Sequence, residues 1–223
     1  MASWMVHLRT ADKLLEYLPD VFAEEFIMGN IAPDSGVPNK DWSTYTPASE
    51  VSHYKTRGAG GRSVIQTDKY VDEYFTNEKQ STYTKKQYSF YLGYLTHLLT
   101  DVLWMDNVYN KSREAYPDKV AQDEYSFLWE LKKDWYDLDF LYLKKHPEFK
   151  AFQIYQGLVG FHNCYMDIFA EDAFDNRREY ITGFYLAGRE NVEREYKYFT
   201  EQQAEKFVQE SYKIILKQLQ KYI

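Results

Sequence analysis

The sequence predicts an all-α fold: a single-domain helical bundle of residues 1–223 that is interrupted by one long irregular loop at about residues 29–63. Ten glycines and six prolines are too few for a loop-rich all-β chain or for a disordered one. Aromatic residues make up 18% of the chain, which indicates a packed core. Outside the loop, apolar residues recur at helical spacing along most of the chain.

Two helices are predicted before the loop. In residues 1–18 Ser3 is placed to cap a first helix. Four residues of this helix share one apolar face: His7, Ala11, Leu14 and Leu18. We therefore expect His7 on the buried side. Asp20 is placed to cap a second, short helix that Gly29 would end.

The segment from Gly29 to about Ser63 shows no periodicity and holds half of the chain's glycines and prolines. Loops of this length in a compact domain are usually functional or disordered. Aromatic residues such as Trp42 and Tyr54 argue against disorder here. The glycine-rich sequence RGAGGR at 57–62 could cradle an anion with its backbone amides, although it matches no phosphate-loop pattern.

Helical periodicity returns after the loop. It predicts helices at 68–77, 84–109, 119–145, 148–171 and 188–222. The stretch from Lys86 to Trp104 is apolar on almost every side, so we expect it to be a central buried helix. The last segment is rich in charge with apolar residues at helical spacing, which is typical of an amphipathic helix that covers a core.

The charge balance bears on which partners to expect. Lysine and arginine total 27, aspartate and glutamate total 34, and the net charge is −7. A protein that grips nucleic acid normally shows a basic footprint, so we expect no stable nucleic-acid binding. A local basic pocket for a small phosphate remains compatible with this charge. The sequence leaves the oligomeric state open.

The sequence also bears on cellular location. No apolar run reaches about 18 residues, so we expect no transmembrane segment. A single cysteine, Cys164, cannot close an internal disulfide. The amino-terminal sequence MASWMVHLRTADKLL lacks the pattern of a secretory signal peptide, and we therefore expect a cytoplasmic protein.

The predicted central helix carries a histidine and a carboxylate. His97 and Asp101 are four residues apart and therefore lie one turn apart on one face. Gly93, one turn earlier, would leave space beside the imidazole. A buried, ionised carboxylate needs a partner, and a metal ion would supply one. The simpler alternative is that Asp101 accepts a hydrogen bond from His97 or from a tyrosine.

Two further polar residues lie in the irregular loop. Asp34 falls in the turn sequence APDSG, and His53 falls in EVSHYK. Turns that are set by proline and glycine hold a side chain in one direction, which suits a ligand. Together with His7, His97 and Asp101 they form a candidate set from two helices and one loop, as buried metal sites usually require.

Three segments occur in order after an N-terminal histidine: GNIAPDSG, SHYK and YLGYLTHLLTDVLW. They resemble the zinc-dependent phospholipase C family and, more distantly, the single-strand-specific zinc nucleases. The resemblance covers about residues 1–105. It implies an all-helical, phospholipase C-like fold and metal-dependent hydrolysis of a phosphoric ester, with a small phosphoester or a lipid headgroup as the substrate.

The resemblance also implies roles for individual residues. Asp34, His53, His97 and Asp101 would hold one zinc ion. Asp101 would also bridge to a second zinc ion, which His7 would help to bind. Asp34 would be both a ligand and the candidate catalytic base for the attacking water. One to two zinc ions are expected, and manganese or iron would also suit this set of ligands.

The sequence departs from the family pattern in two places. Trp4 is not terminal, whereas secreted members begin with a tryptophan that binds zinc through its own amino group and carbonyl. Members with three metals use a downstream His-x-x-x-Glu pair, but here His162 is followed by Met166, and Asp167 is one residue out of register.

Several other candidates for a downstream site are weaker. Asp134, Asp137 and Asp139 could supply oxygen ligands, but we expect them on an exposed acidic helix face. We expect His162 and Cys164 in the core and a solvated loop position for the remaining histidine, His146.

Two alternatives to a hydrolase remain at this stage. A non-catalytic helical binding or scaffold protein could have kept the family fold and a metal for stability. Such a structural zinc site is closed by four protein ligands, whereas a catalytic site keeps one position open. A helical protein without a metal would leave Asp101 buried and unpaired or turn it towards solvent.

Overall fold

Helices dominate the computed structural model, which describes residues 1–41, 43–58 and 62–223. Its strands form only two small pairs, so the all-α prediction is confirmed. The α-helices of the described residues are α1 (Trp4–Leu15), α2 (Ala23–Ile31), α3 (Ser49–Ser52), α4 (Thr67–Tyr74), α5 (Asn77–Thr82), α6 (Lys85–Trp104), α7 (Asn110–Ala115), α8 (Pro117–Lys145), α9 (Lys150–Gly157), α10 (Ala173–Leu186) and α11 (Glu201–Leu219). None of these helices combines the length and apolar character that a membrane span needs.

The segment after α2 is more ordered than its sequence predicts. A 3-10 turn, Ala32–Asp34, continues directly from α2. Two antiparallel strand pairs follow, on either side of α3: β1 (Val37–Pro38) with β2 (Tyr45–Thr46), and β3 (Lys55–Arg57) with β4 (Ser63–Ile65). Trp42 and the centre of the RGAGGR sequence lie outside the described residues.

Helices α2 and α6 pack backbone against backbone. A Cβ atom on Gly29 would lie 2.1 Å from the Phe90 carbonyl oxygen, and one on Gly93 would lie 2.1 Å from the Phe26 carbonyl oxygen. Only glycine permits this approach. The predicted roles of both glycines are therefore wrong: Gly29 lies within α2, and Gly93 makes room for α2 rather than for the His97 ring.

The first helix follows its predicted pattern, with a different cap. All four residues of its predicted apolar face are buried. Ser3 occupies the N-cap position, but its hydroxyl donates a 2.7 Å hydrogen bond to Asp139 instead of capping the helix. Asp20 does not cap α2, because the N-cap residue is Phe22. The central helix α6 is buried along most of its length, as predicted.

The helix predicted at 148–171 is shorter than expected. Helix α9 ends at Gly157, and Asn163 organises the chain that follows it. The Asn163 side chain accepts hydrogen bonds from the backbone amides of Tyr165 and Met166 and donates to the carbonyls of Met166 and Phe169. Such local bonds compete with helix formation. Helix α10, which follows, is absent from the sequence-based prediction.

The helix predicted at 188–222 also begins later. Gly188 and Asn191 adopt left-handed backbone conformations, with φ of +68° and +57°. Helix α11 begins only at Glu201, where Thr200 and Gln203 form a capping box. Helix α8 spans the predicted 119–145 segment but is interrupted by an extended residue, Asp123.

Candidate metal centre

Five predicted ligands converge where α1, the 3-10 turn, the end of α3 and α6 meet. Their ligand atoms form two groups, each within 4.8 Å: His7 with His97 and Asp101, and Asp34 with His53 and His97. Four of the five side chains are at most 2% exposed, and Asp34 is 12% exposed. The structure thus brings together every residue of the predicted set, on the scaffold that the α2–α6 contact provides.

The two oxygens of Asp101 face different histidines. Oδ1 accepts a 2.7 Å hydrogen bond from the Ala2 amide and lies 3.4 Å from His7 Nε2. Oδ2 lies 3.7 Å from His97 Nε2 and 3.9 Å from His53 Nε2, and makes no hydrogen bond within the described part of the chain. This carboxylate therefore lies between the two groups of ligands.

His97 is held in one tautomer by α2. Its Nδ1 lies 2.7 Å from the Asn30 carbonyl oxygen, so Nδ1 carries the proton and Nε2 presents a lone pair. Metal-binding histidines characteristically donate their second ring nitrogen to such an acceptor. With one free nitrogen, His97 can ligate only one ion, although it belongs to both groups.

His53 is oriented by its own neighbours. Its Nδ1 lies 2.9 Å from Ser52 Oγ, and the Ser52 carbonyl accepts a hydrogen bond from the Tyr94 hydroxyl. Its Nε2 lies 3.2 Å from Asp34 Oδ1 and 3.2 Å from His97 Nε2. A carboxylate and two imidazole nitrogens are therefore directed at one small volume, which suits a cation.

His7 supplies the sharpest test of whether a metal ion fits. Its ring stacks on that of His97 with centroids 3.7 Å apart. It is completely buried, yet neither of its nitrogens makes a hydrogen bond within the described residues. Buried polar atoms are normally satisfied, so these nitrogens and Asp101 Oδ2 call for a ligand. Nitrogen and carboxylate oxygen are donors that zinc accepts, and the residues therefore fit a metal ion.

The protonation states also suit metal binding. Burial lowers the pKa of His97 to about 3 and lowers the pKa of His53, so both rings are neutral. Burial is the largest single effect on the pKa of Asp34 and acts to raise it, but the hydrogen bond from His53 and the charges of His97, His53 and His7 together hold that pKa well below its usual range. Neutral imidazole and ionised carboxylate are the forms that bind metal.

A cavity of about 550 Å³ adjoins this cluster. Asp34 and His53 line it, and so do the aromatic side chains of Trp135 and Tyr136 from α8. Two of the five residues of the cluster are therefore accessible from this cavity.

The sequence does not indicate three cationic residues of the cavity wall: Lys55, Lys132 and Arg177. They come from β3, α8 and α10, and the last of these elements was not predicted. No local motif marks them, because nothing in the spacing of three such distant residues indicates that they share a cavity.

The predicted acidic face of α8 is wrong, because Asp134, Asp137 and Asp139 are buried. The Arg194 guanidinium lies 2.8 Å from Asp134 and 2.7 Å from Asp137, and Arg189 lies 2.9 Å from Asp137. These arginines come from the irregular segment before α11, which returns over α8. Asp134 and Asp137 are thus paired with arginine, whereas Asp139 accepts hydrogen bonds from Ser3 and Tyr185. None of the three belongs to a metal-binding group of the described residues.

The other downstream candidates are exposed. The predicted core positions of His162 and Cys164 are wrong: the His162 side chain is 70% exposed and Cys164 is exposed. Both flank Asn163, whose backbone contacts turn the chain out of a helix. Asp167 is exposed as well, whereas the predicted solvent exposure of His146 is confirmed.

Comparison with known proteins identifies a family for this chain. A family model described as zinc-dependent phospholipase C matches residues 6–122, just over half of the chain. The matched region contains all five residues of the cluster. No curated protein and no solved structure matches the chain.

Proposed function

The chain belongs to the zinc-dependent phospholipase C family, and we propose that it is a metal-dependent hydrolase of a phosphoric ester. The observation that carries this proposal is the buried His/Asp cluster with unpaired nitrogen and oxygen atoms beside a cavity. Family membership and this cluster together support a metal-dependent phosphoesterase.

We propose that Asp34, His53, His97 and Oδ2 of Asp101 hold one zinc ion. Oδ1 of Asp101 and His7 would contribute to a second. This division is supported by the opposite directions of the two Asp101 oxygens and by the single free nitrogen of His97.

The chemistry follows from the ligands and their surroundings. A zinc ion supplies Lewis acidity and lowers the pKa of a water molecule towards about 7. Asp34 is the most exposed of the five residues and lines the cavity, so it is placed to orient the attacking water and to accept its proton. His53 Nε2 and Asp34 Oδ1 lie 3.2 Å apart and would become ligands of the same ion, while Ser52 and the Asn30 carbonyl keep the two histidine rings in place.

The cavity also favours an enzyme over a metal-stabilised scaffold protein. A structural zinc site is closed by four protein ligands, whereas a catalytic one keeps a position open. The first proposed ion would have four such ligands, but the second would have only Asp101 and His7 among the described residues and would keep positions open for water or substrate. Asp34 and His53 form part of the cavity wall, and a substrate phosphate could therefore approach them.

Elemental analysis and a hydrolysis assay test the proposal together. We expect the purified protein, after incubation with zinc, to retain one to two ions and to hydrolyse bis(p-nitrophenyl) phosphate, with both properties lost in a His97→Ala, Asp101→Ala double variant. His146→Ala is the matched control, because His146 is exposed and outside the cluster. Zinc binding without hydrolysis of any phosphoester would support the scaffold protein instead. Absence of zinc binding would refute both.

A further inference from the structure

The cavity beside the cluster is rich in positive charge. Among the described residues, the side chains of its wall include three cations, Lys55, Lys132 and Arg177, and a single carboxylate, Asp34. The chain as a whole has a net charge of −7, so this cavity departs from the general charge of the molecule. The three cations outnumber the carboxylates of Asp34 and Asp101, and each divalent ion in the cluster would add two further positive charges.

Lys132 is half-buried and has no carboxylate partner in the described part of the chain. Its ammonium lies 4.6 Å from the centre of the Trp129 ring. Other lysines of this chain, such as Lys119 and Lys145, form ion pairs with glutamates at 2.8 and 2.7 Å. Burial lowers the pKa of Lys132, Asp34 raises it and Lys55 lowers it, as expected for charges that share one cavity.

Lys55 and Arg177 also lack a carboxylate partner among the residues described. The Lys55 ammonium contacts the sulfur of Met1, a weak acceptor, at 2.8 Å. Arg177 is 8% exposed and donates one hydrogen bond, of 2.5 Å, to the Gly36 carbonyl. A guanidinium has five N–H donors, and a buried charge without a counter-ion is costly. An anionic ligand would satisfy these groups.

We propose that this cavity binds a phosphate monoester group that the substrate carries in addition to its scissile phosphodiester. The inference rests on the proposed phosphoesterase function, because the scissile ester would lie at Asp34 and His53 in the same cavity. A phosphate monoester carries a charge of about −1.5 to −2 at neutral pH and three acceptor oxygens, which suits a cavity lined by three cationic side chains. A choline-type headgroup would instead bring a fourth cation into the cavity.

The size of the cavity is compatible with such a substrate. Its volume of about 550 Å³ lies within the usual range of roughly 300–1,000 Å³ for small-molecule sites. The same chemistry could come from a phosphorylated lipid headgroup or from a water-soluble diester with a second phosphate. Binding to deacylated probes and to vesicles distinguishes these two sources.

The test compares the binding of two deacylated probes to the full chain by calorimetry, both in chelator and with added zinc. Glycerophosphocholine is a zwitterionic diester, whereas glycerophosphoinositol monophosphate carries the second phosphate. We expect the second probe to bind at least about tenfold more tightly, and each of Lys55→Met and Lys132→Met to weaken it about tenfold. Added salt should weaken it further. Lys133→Met is the matched control, since Lys133 is the exposed neighbour of Lys132.

Vesicles separate the two sources. Tight binding of glycerophosphoinositol monophosphate would show that the headgroup alone is recognised. The other outcome is that the protein binds only to phosphatidylcholine vesicles that contain phosphatidylinositol monophosphate. If this vesicle binding is lost in the two lysine variants, the ligand is a lipid. The inference would be overturned if the two deacylated probes bind equally tightly and the vesicles show no such selectivity. It would also be overturned if binding is unaltered in Lys55→Met and Lys132→Met.

The two proposals fail separately. A protein that shows this preference but hydrolyses no phosphoester would refute the proposed function, because binding requires no turnover. A zinc-dependent hydrolase without the preference would refute only the present inference. Thermal unfolding of each variant checks that it is folded.

Discussion

Buried polar side chains of this protein are of two kinds. Some are paired within the chain: Asp139 accepts hydrogen bonds from Ser3 and Tyr185 at 2.7 and 2.8 Å. Others, such as both nitrogens of His7 and Oδ2 of Asp101, have no hydrogen-bond partner in the residues described. Because unsatisfied buried groups are costly, we interpret the paired groups as structural. The His7 and Asp101 atoms are interpreted as a place for a ligand because they also lie within one group of possible metal ligands.

Asp139 should make stability depend on pH. Burial raises its pKa to about 7, although the hydrogen bonds from Ser3 and Tyr185 act to lower it. The folded protein then holds this proton more tightly than the unfolded chain, so the contribution to stability is complete below about pH 4 and is lost as the pH rises to about 7. Asp139→Asn removes this titration. We expect the Tm of the wild type, relative to this variant, to fall over that range in chelator.

A constant difference in Tm between the wild type and Asp139→Asn would contradict this prediction. The loss across the range should be on the order of a few kcal/mol. Chelator removes the separate effect of metal binding.

Asp101 should link zinc to stability. A ligand that binds only the folded state stabilises it, by about 4 kcal/mol at a thousand times its Kd. For a chain of this size that corresponds to a rise in Tm of roughly 8–16 °C. Asp101→Asn keeps an acceptor for the Ala2 amide but removes the anionic ligand. Differential scanning calorimetry with and without zinc should therefore show a much smaller rise in this variant.

The contact between helices α2 and α6 supports the metal centre. The absence of side chains at Gly29 and Gly93 lets the two helices meet at their backbones, and the same contact brings the Asn30 carbonyl to His97. The spacing of His97 and Asp101 on α6 therefore supplies only part of the site. The hydrogen-bond acceptor that orients His97 comes from the neighbouring helix α2.

Gly93→Ala should damage both stability and metal binding. The new Cβ would lie 2.1 Å from the Phe26 carbonyl oxygen and would force α2 away from α6. We expect a loss of at least about 1–3 kcal/mol in urea unfolding and weaker zinc binding, because the Asn30 carbonyl would move from His97.

Gly183→Ala, within α10, is the matched control. Its Cβ would meet nothing within 4 Å, so this variant should be neutral or stabilised by up to about 1 kcal/mol. Similar unfolding curves for the two variants would contradict the close contact of α2 with α6.

The two halves of the chain contribute different residues to the metal centre and its cavity. The region that matches the family holds the five-residue cluster. The later helices supply Lys132, Trp135, Tyr136 and Arg177 to the cavity wall. The segment before α11 contributes Arg189 and Arg194, which form ion pairs with Asp134 and Asp137 of α8.

Arg194→Met should show how strongly that segment is held. It would leave Asp134 and Asp137, which are 3% and 5% exposed, without this partner. Breaking a fully buried ion pair from one side costs about 3–5 kcal/mol. Arg194 is 27% exposed and Asp137 keeps Arg189, so we expect a smaller loss, of about 1–3 kcal/mol, in chemical denaturation. Lys144→Met, which breaks the exposed pair with Glu193, should change stability by less than about 1 kcal/mol. Equal losses would contradict this assignment.

The spacing of residues along the sequence determined part of the fold and of the metal centre. The 3.6-residue period of a helix fixes which side chains share a face, so the sequence predicts the buried face of α1, the central helix α6 and the juxtaposition of His97 with Asp101. The order of the motifs added Asp34 and His53 through the family resemblance. These predictions depend on residues that are close in sequence or that belong to a recognisable pattern.

Contacts between distant residues decided the rest. The burial of Asp134 and Asp137 depends on an arginine 60 and 57 residues away, and the exposure of His162 depends on side-chain bonds of Asn163 that compete with a helix. The cavity joins cations from β3, α8 and α10. Helical periodicity carries no information on such partners, because burial of a charge is decided by what packs against it and not by its own position along a helix.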